Sequence, residues 1–492
     1  MKDGIVESAN RGGVFPSDPD VMPIFDQPMP PVAAYAREVA EAKRFCERWR
    51  GDEGFREVLA VDADEAMRRW GLEGDPADYR LLYDNAALAA WQADAQRPPA
   101  PRAVRRMWGF LKEKLTWREA LRRQLRVAHP ALDAWRRRQV LRCHAQLPPA
   151  NAEAIVHAPV AFELSRGCSV GCWFCGVSAR KLSEVWPYES NRALWRETLE
   201  VFSEVLGPAG GHGFCYWATD PLDNPEYERF CLDYHEIMGA FPQTTTALAH
   251  KDVARTRALM ALSQSKGCPL NRFSVLTLGF LDRLHAAFSP EELLFTELVQ
   301  QNPQASGDKS LAGKAREKAL ARAAREGTEV PPSHASTIAC VSGFLVNMVE
   351  RRVRLVSPCA ASSRWPDGFR VHAEATFRDA GHLRAGLDEM LDARALRWRL
   401  EMDEVVRLRP DITVEGGEQG IRLAAPFRTL TLRPQTCPGA LEVAHRLTAP
   451  VPVAHLVSMR ETTPEAAISL LYELNSRGLL DDEPGEVEKE KA

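Results

Sequence analysis

The 492-residue chain contains no run of about 18 apolar residues, so no segment reads as a membrane-spanning helix. Its first ten residues, MKDGIVESAN, carry acids and lack an apolar stretch, which argues against a secretory signal and gives the expectation of a cytoplasmic protein. An excess of one charge is missing too. The 63 basic and 67 acidic residues leave a formal net charge of −4, with no whole-molecule pull toward nucleic acid or anionic membrane. After residue 175 there is no CxxC pair, and in the C-terminal third Cys340, Cys359 and Cys437 stand far apart. Eleven scattered cysteines, an odd number, do not make a disulfide framework and suit a reducing compartment. What remains is a globular composition, 45% hydrophobic and 26% charged, long enough for about three domains.

Residues 1–31, rich in Gly, Pro, Asp and Asn, and the charged residues 484–492 read as disordered ends. Residues 32–150 read as a helical domain, because Phe45, Trp49, Phe55, Val58 and Leu59 recur near a helical period and QRPPAPR marks a break. Its second half interleaves Arg105, Arg106, Arg122, Arg123 and Arg136, Arg137, Arg138 with Trp108, Trp117 and Trp135. Solvated arginines on helices whose tryptophans face the core are the preferred reading. A nucleic-acid face and a face for an acidic peptide are the other two.

Residues 151–403 alternate strand and helix patterns. AIVHAPVAFELS reads as a buried strand, NRALWRETLEVFSEVLG as an amphipathic helix, and three further pairs follow: GFCYWAT with EYERFCLDYHEIMGAF, TTTALA with VARTRALMALSQS, and RFSVLTL with SPEELLFTELVQQ. This alternation predicts an α/β fold with a full or partial TIM-like β/α barrel. The charged, Ala-rich stretch 303–335 reads as a solvated helical insertion or a mobile lid. RRVRLVSPC, GFRVHAEATF and the helix HLRAGLDEMLDARAL are expected to complete the barrel. Residues 404–483 combine short strands around a GGEQG turn with three helices ending in LYELNSRGLL.

One local motif carries chemistry. In FELSRGCSVGCWFCGVSA, Cys168, Cys172 and Cys175 follow a CxxxCxxC spacing. Three thiolates so placed can hold three irons of a [4Fe–4S] cluster and leave the fourth iron open for a substrate or cofactor. Zinc is the competing metal, but it prefers a fourth Cys or His at similar spacing.

The motif resembles that of the radical S-adenosylmethionine (SAM) enzymes, in which the open iron chelates SAM and an electron cleaves it to a 5′-deoxyadenosyl radical. That resemblance implies a radical SAM barrel, one cluster and SAM as cofactors, and an electron donor such as flavodoxin or ferredoxin. It implies Phe174 near the adenine. Where the family usually presents a GGE-like motif, this chain has Ala218, Thr219 and Asp220, so Thr219 and Asp220 are the candidate acceptors for the SAM ammonium. A turn or N-cap role for Asp220 stands beside that reading. Further SAM contacts are expected near Ala247–Lys251 and at Ser274. The sparse C-terminal cysteines speak for one cluster rather than several.

The stretch from ELSRGCSVGCWFCGVSA through YWATDPLDNPEY to VSPCAASSRWPDGF resembles the radical SAM peptide epimerases of RiPP (ribosomally made, post-translationally modified peptide) maturation, of the proteusin type, which install D-residues. In that family one group removes a Cα hydrogen and a thiol returns a hydrogen atom to the opposite face. Cys359, after the strand RRVRLVSP, is the first candidate for this catalytic thiol, with Cys340 next and Cys215, Cys268 and Cys437 behind. The end LYELNSRGLL resembles the winged-helix-like peptide recognition elements of RiPP enzymes, implying a precursor peptide as partner, held by its leader at residues 404–483 and also at the N-terminal domain. Other radical peptide modifications, such as methylation or carbon–carbon cross-linking, and a Cys-coordinated winged-helix DNA-binding regulator are the alternatives; nucleic acid and membrane are the disfavoured partners.

Overall fold

The computed structural model describes residues 18–25, 33–123, 126–307, 310–330, 336–392, 400–417, 420–432 and 439–483. The ends expected to be disordered lie outside these residues except for 18–25, which pack into the N-terminal core. Ile24 is buried there, the Glu113 carboxylate accepts the Ile24 and Phe25 N–H groups at 2.7 and 2.6 Å, and the Phe25 ring stacks on Phe110 at 5.2 Å.

Among the described residues six helices come first: α1 Ala33–Gly51, α2 Glu53–Val61, α3 Ala63–Trp70, α4 Pro76–Tyr83, α5 Asn85–Ala93 and α6 Arg102–Arg123. Four of the short ones begin at an aspartate whose carboxylate accepts a first-turn N–H: Asp52 from Phe55, Asp62 from Glu65, Asp75 from Ala77 and Asp84 from Ala87. Their shared core is aromatic, built on Phe45, Phe55, Tyr79 and Trp108. The arginines of this region are held at home. Arg105 pairs with Asp18 and Asp20, Arg106 with Glu38, and Arg123 with Glu119. Nothing is described of the Arg122 side chain.

Helix α7, Pro130–Gln146, expected within the N-terminal domain, belongs to the centre instead. It buries Leu132 and Trp135 in the central core, and the buried Arg136 guanidinium donates to the Ser342 and His157 carbonyls at 2.7 and 2.5 Å. Arg136 is a long stem over apolar surface with its head on backbone carbonyls, whereas Arg137 is exposed and pairs with Asp133. A short helix, α8 Pro149–Ala154, leads into the central unit.

That unit runs β1 Ala158–Glu163, the short pair β2 Ser165–Arg166 and β3 Glu184–Val185, α9 Tyr188–Leu206, α10 Tyr227–Met238, β4 Thr245–Thr246, α11 Val253–Ser265, β5 Asn271–Val275, α12 Leu278–Ala287, β6 Thr296–Gln300, α13 Gly313–Glu326, β7 Val341–Asn347, β8 Arg352–Pro358, β9 Phe369–Thr376 and α14 Ala380–Asp392. β1 is buried along its whole length and pairs in parallel with β7, which continues as an antiparallel meander through β8 and β9. β4, β5 and β6 form a separate parallel sheet. Among the described residues the sheets are small and none closes on itself.

Several elements differ from expectation. GFCYWAT makes a single bridge, Ala161 to Phe214, rather than a strand. The stretch read as helix SPEELLFTELVQQ supplies β6, because pairing with β5 over five residues outweighs a short helical period. The helix lies earlier, at α12, where the Thr277 hydroxyl accepts the Phe280 N–H. β7 went unread, and β8 and β9 run antiparallel rather than as β/α units.

The C-terminal unit comprises β10 Val405–Val406, β11 Thr413–Gly417, β12 Gly420–Ala425, β13 Arg428–Leu432, α15 Ala440–Arg446, β14 Val451–Pro452, α16 Val453–Val457 and α17 Pro464–Ser476. β11, β12 and β13 form an antiparallel sheet, β10 pairs with β14, and the unit has its own aliphatic core around Val443, Leu456, Leu471 and Leu474. Among the described residues no helix is long and apolar enough to cross a membrane.

Candidate metal centre

The cysteine loop leaves β1 at its C-terminal end and is pinned as a hairpin. β2 pairs with β3, the Cys168 N–H donates to the Arg180 carbonyl at 2.9 Å, and the Leu182 N–H returns to the Cys168 carbonyl at 3.1 Å. Gly167 is required here. Its φ is +88°, and a Cβ on it would stand 2.4 Å from the Lys181 carbonyl oxygen. Cys172 and Cys175 share a turn, with the Cys175 N–H 3.3 Å from the Cys172 carbonyl, and the Cys175 sulfur accepts the Ala179 N–H at 3.2 Å. All three cysteines are free and half-buried.

Burial, and after it the neighbouring acids and thiols, pushes the Cys168 thiol up to about 12 and the Cys172 thiol up to about 11. Such thiols hold their protons near neutrality until a cation displaces them. Among the described residues no three His, Cys, Asp or Glu side chains converge to metal-ligand geometry. By type alone, three thiols on one loop are the donors an iron–sulfur cluster takes. Three thiols stand on one pinned loop, Cys172 feels the charge of Cys175 and Cys168 that of Cys172, and one sulfur already accepts a backbone N–H.

The segment after the Phe214 bridge props the loop from beneath. The Asp223 carboxylate accepts the Ser169 N–H at 2.9 Å, and the buried Asn224 side chain donates to the Leu164 and Trp186 carbonyls at 3.1 and 2.9 Å. Asp220 is buried, and both its oxygens are engaged: it accepts the Thr246 hydroxyl and the Ala247 N–H, each at 2.7 Å, and the Leu222 N–H at 3.0 Å. Burial pushes its carboxyl up to about 6. Asp220 thus takes the turn role that stood beside its ammonium role, and it bears on Cys168 as a neighbouring charge. Thr219 lies buried beside it. Asp223, Asn224 and the buried Glu163, which accepts the Ala218 N–H at 2.9 Å, were not singled out from sequence. The turn-rich DPLDN pattern signalled Asp223 and Asn224, and nothing comparable signalled Glu163.

Phe174 is half-buried and meets the exposed Trp173 edge to face at 5.2 Å. Ala247–Lys251 adjoin Asp220 through the Ala247 N–H, whereas Ser274 lies half-buried on β5 opposite Val299 of β6, in another sheet.

The insertion expected to be solvated or a lid is docked on the cysteine loop. The Lys314 N–H donates to the Cys175 carbonyl at 2.9 Å, and its ammonium to the Ala179 carbonyl at 2.6 Å. Gly313, φ +54°, permits the approach, since a Cβ there would lie 2.4 Å from the Cys175 oxygen.

Cys359 is buried, its N–H bonded to the Gly368 carbonyl at 2.9 Å. Burial pushes its thiol up to about 11, and the Arg370 guanidinium hydrogen-bonds it. Cys143 lies beside it, donating to the Pro358 carbonyl at 3.2 Å. Because β8 runs antiparallel to β7, Cys359 sits at the end of the sheet where β1 and β7 begin, not at the C-terminal strand ends where the sequence reading put it. The loop after it returns to the cysteine loop through Pro366, whose carbonyl accepts the Gly313 N–H at 2.8 Å. Of the other thiols, Cys215 is buried against Cys231, Cys340 stands at the start of β7 with its thiol pushed up to about 11 by burial, and Cys268 is half-buried. Cys437 lies outside the described residues.

A Sinorhizobium fredii (strain NBRC 101917 / NGR234) protein named "Uncharacterized protein y4wI" is 37% identical over 507 aligned positions, which cover 98% of this chain and 94% of that protein. The chain belongs to the y4wI family. No family model and no solved structure matches it. In this y4wI-family chain the Lys314 ammonium ties down the Ala179 carbonyl just beyond Cys175, so Lys314→Met is expected to shed reconstituted iron to a chelator roughly tenfold faster than the parent, as loss of an outer partner does at other metal sites. The check is iron release followed by absorbance, with circular dichroism to verify the fold; equal release rates would show that Lys314 does not support the loop.

Proposed function

We propose that this chain is a radical SAM isomerase of the cytoplasm that inverts L-residues of a ribosomally made precursor peptide to D-residues. The observation that carries this is the pinned loop with three free thiols and no fourth cysteine, standing where β1 ends in an α/β unit. Cys168, Cys172 and Cys175 would hold one [4Fe–4S] cluster. When bound, such a cluster together with SAM and one electron from a flavodoxin or ferredoxin supplies the radical that removes a Cα hydrogen. Phe174 lies on the same loop, and Thr219, Asp220 and Ser274 remain the proposed SAM contacts.

The return of hydrogen falls to a residue of the chain. A buried, protonated thiol with a weak S–H bond suits it, and burial keeps Cys359 in that state against the opposing pull of Arg370 and Arg142. Inversion needs that hydrogen to reach the face of the Cα opposite the one from which the first was taken. The C-terminal unit, with a separate core and sheet, is the proposed grip for the leader of the peptide, with the N-terminal helices as a second surface.

Coexpression with a neighbouring precursor peptide in D2O tests the reaction. Inversion leaves one deuterium at each D-configured Cα, read by chiral amino-acid analysis and mass spectrometry. A mass change in ordinary water would instead mark methylation or cross-linking, and failure to cleave SAM combined with salt-dependent binding to duplex DNA would mark a regulator.

A further inference from the structure

Two large apolar side chains stand in the open beside the cysteine loop. Trp173, between Cys172 and Cys175, is 46% exposed. Ile338 is 50% exposed and packs on Gly176, where a Cβ would meet its Cγ1 at 2.7 Å. Trp173 is held in place on two sides: it meets Phe174 edge to face, and the Lys318 ammonium of α13 lies 5.0 Å from the centre of its ring. A fixed, exposed tryptophan next to a second apolar side chain is what the centre of a protein–protein contact is made of.

Basic residues rim this centre. Arg180 and Lys181 are exposed on the returning arm of the loop, where the Arg180 carbonyl takes the Cys168 N–H and Lys181 bridges to Cys168. Lys314, Arg316 and Lys318 lie on α13, whose start is bonded to the Cys175 carbonyl. Within residues 165–185 and 313–326 the acids are Glu184, Glu317 and Glu326. Glu184 stands 3.7 Å from Arg166 and Glu326 bonds Arg322 at 2.8 Å, which leaves Glu317 against five cations. Asp220 and Asp223, beneath the loop, accept backbone N–H groups. Residues 308–309 and 331–335, which lie outside the described ones, add one aspartate, one lysine and one histidine, so they do not reverse the sign.

We propose that Trp173 and Ile338, rimmed by Arg180, Lys181 and Lys318, form the docking surface for an acidic one-electron carrier of the flavodoxin type. This rests on the radical reading above and names the face of the chain that the electron donor meets. Charge complementarity favours such a partner, because the rim steers an acidic protein in and the apolar centre seats it. Position favours it too: each of these residues lies on the segment that carries the three thiols or packs against it, and electron transfer falls off steeply with distance. In that step one electron leaves the reduced flavin of the carrier and enters the candidate cluster, and no atom is transferred. Contacts between redox partners are small, so one aromatic anchor and a few charges carry most of the affinity. Nucleic acid, the other polyanion, has no use for the apolar centre.

The test mixes the full chain with fluorescein-labelled oxidised flavodoxin and follows anisotropy over a range of salt, with a labelled DNA duplex as control. Parent binding is expected to weaken steadily as salt rises. Trp173→Ala should weaken it roughly tenfold. Arg180→Glu, Lys181→Glu and Lys318→Glu together should weaken it at least as much and flatten the salt dependence. No binding by the parent, variants that bind as the parent does, or tighter binding of the duplex overturns the proposal. A measurement on the unmodified chain guards against a variant that fails to fold: flavodoxin should slow hydrogen exchange of the amides of residues 171–182 and 314–320, and unchanged exchange also overturns it. Formation of 5′-deoxyadenosine with dithionite, a reductant that needs no docking, is assayed alongside. Both variants should match the parent with dithionite and fall behind it with reduced flavodoxin; a loss with both reductants overturns the docking role. A parent that cleaves no SAM with dithionite would instead fail the radical reading, while anisotropy and exchange still judge the surface.

Discussion

Replacing Cys172 by alanine is expected to abolish iron binding and 5′-deoxyadenosine formation while leaving the protein folded. The reason lies in how the loop is held. Its shape depends on backbone bonds through Cys168, Arg180 and Leu182, on the Asp223 carboxylate and on Lys314, none of which uses the Cys172 sulfur. The thiol is half-buried and outside the apolar cores, so its removal costs little packing. Cys168→Ala should behave in the same way. Cys175→Ala adds a small stability loss of about 1 kcal/mol, because its sulfur accepts the Ala179 N–H. Iron and sulfide content after anaerobic reconstitution, read beside a thermal melt, decides the matter; a variant that keeps the parent's iron spectrum contradicts the ligand assignment.

The second large effect separates the two halves of the proposed reaction. Cys359→Ala is expected to go on producing 5′-deoxyadenosine while D-residues in the coexpressed peptide disappear. The thiol is far from the loop in sequence and stands at the opposite end of β1, so its loss leaves the cluster ligands untouched. Its removal from a buried position costs on the order of 1 kcal/mol, too little to unfold a domain of this size. Cys143→Ala is the control, since Cys143 shares the same buried surroundings and would lower stability without stopping inversion. Normal D-residue content in Cys359→Ala would clear Cys359 of the donor role and turn attention to Cys340.

How much of this was legible beforehand depended on range. The buried strand β1, the amphipathic helix α9 and the helix Val253–Ser265 follow from patterns within a dozen or so residues, and they stand where those patterns put them. The strand β6 was misread as helix because its partner, β5, supplies the deciding hydrogen bonds and lies some twenty residues earlier. The meander β7–β8–β9 reversed the direction assumed for β8 and with it the location of Cys359, since a hairpin turn reverses direction without altering composition. Arg136 and Arg138 looked like part of a solvated basic face, yet both are buried, Arg136 among backbone carbonyls.

The placing of Cys168, Cys172 and Cys175 together was determined by the sequence itself, because a CxxxCxxC spacing keeps three sulfurs on one short loop whatever surrounds it. So were the amphipathic helices, whose periodicity is a local property. Only the tertiary structure decided what supports that loop, where Lys314, Asp223 and Gly313 arrive from remote segments, and only it gathered Cys359, Arg370 and Asp482. Those contacts join residues dozens to hundreds of positions apart, so they arise from the packing of whole elements, which short-range pattern cannot encode.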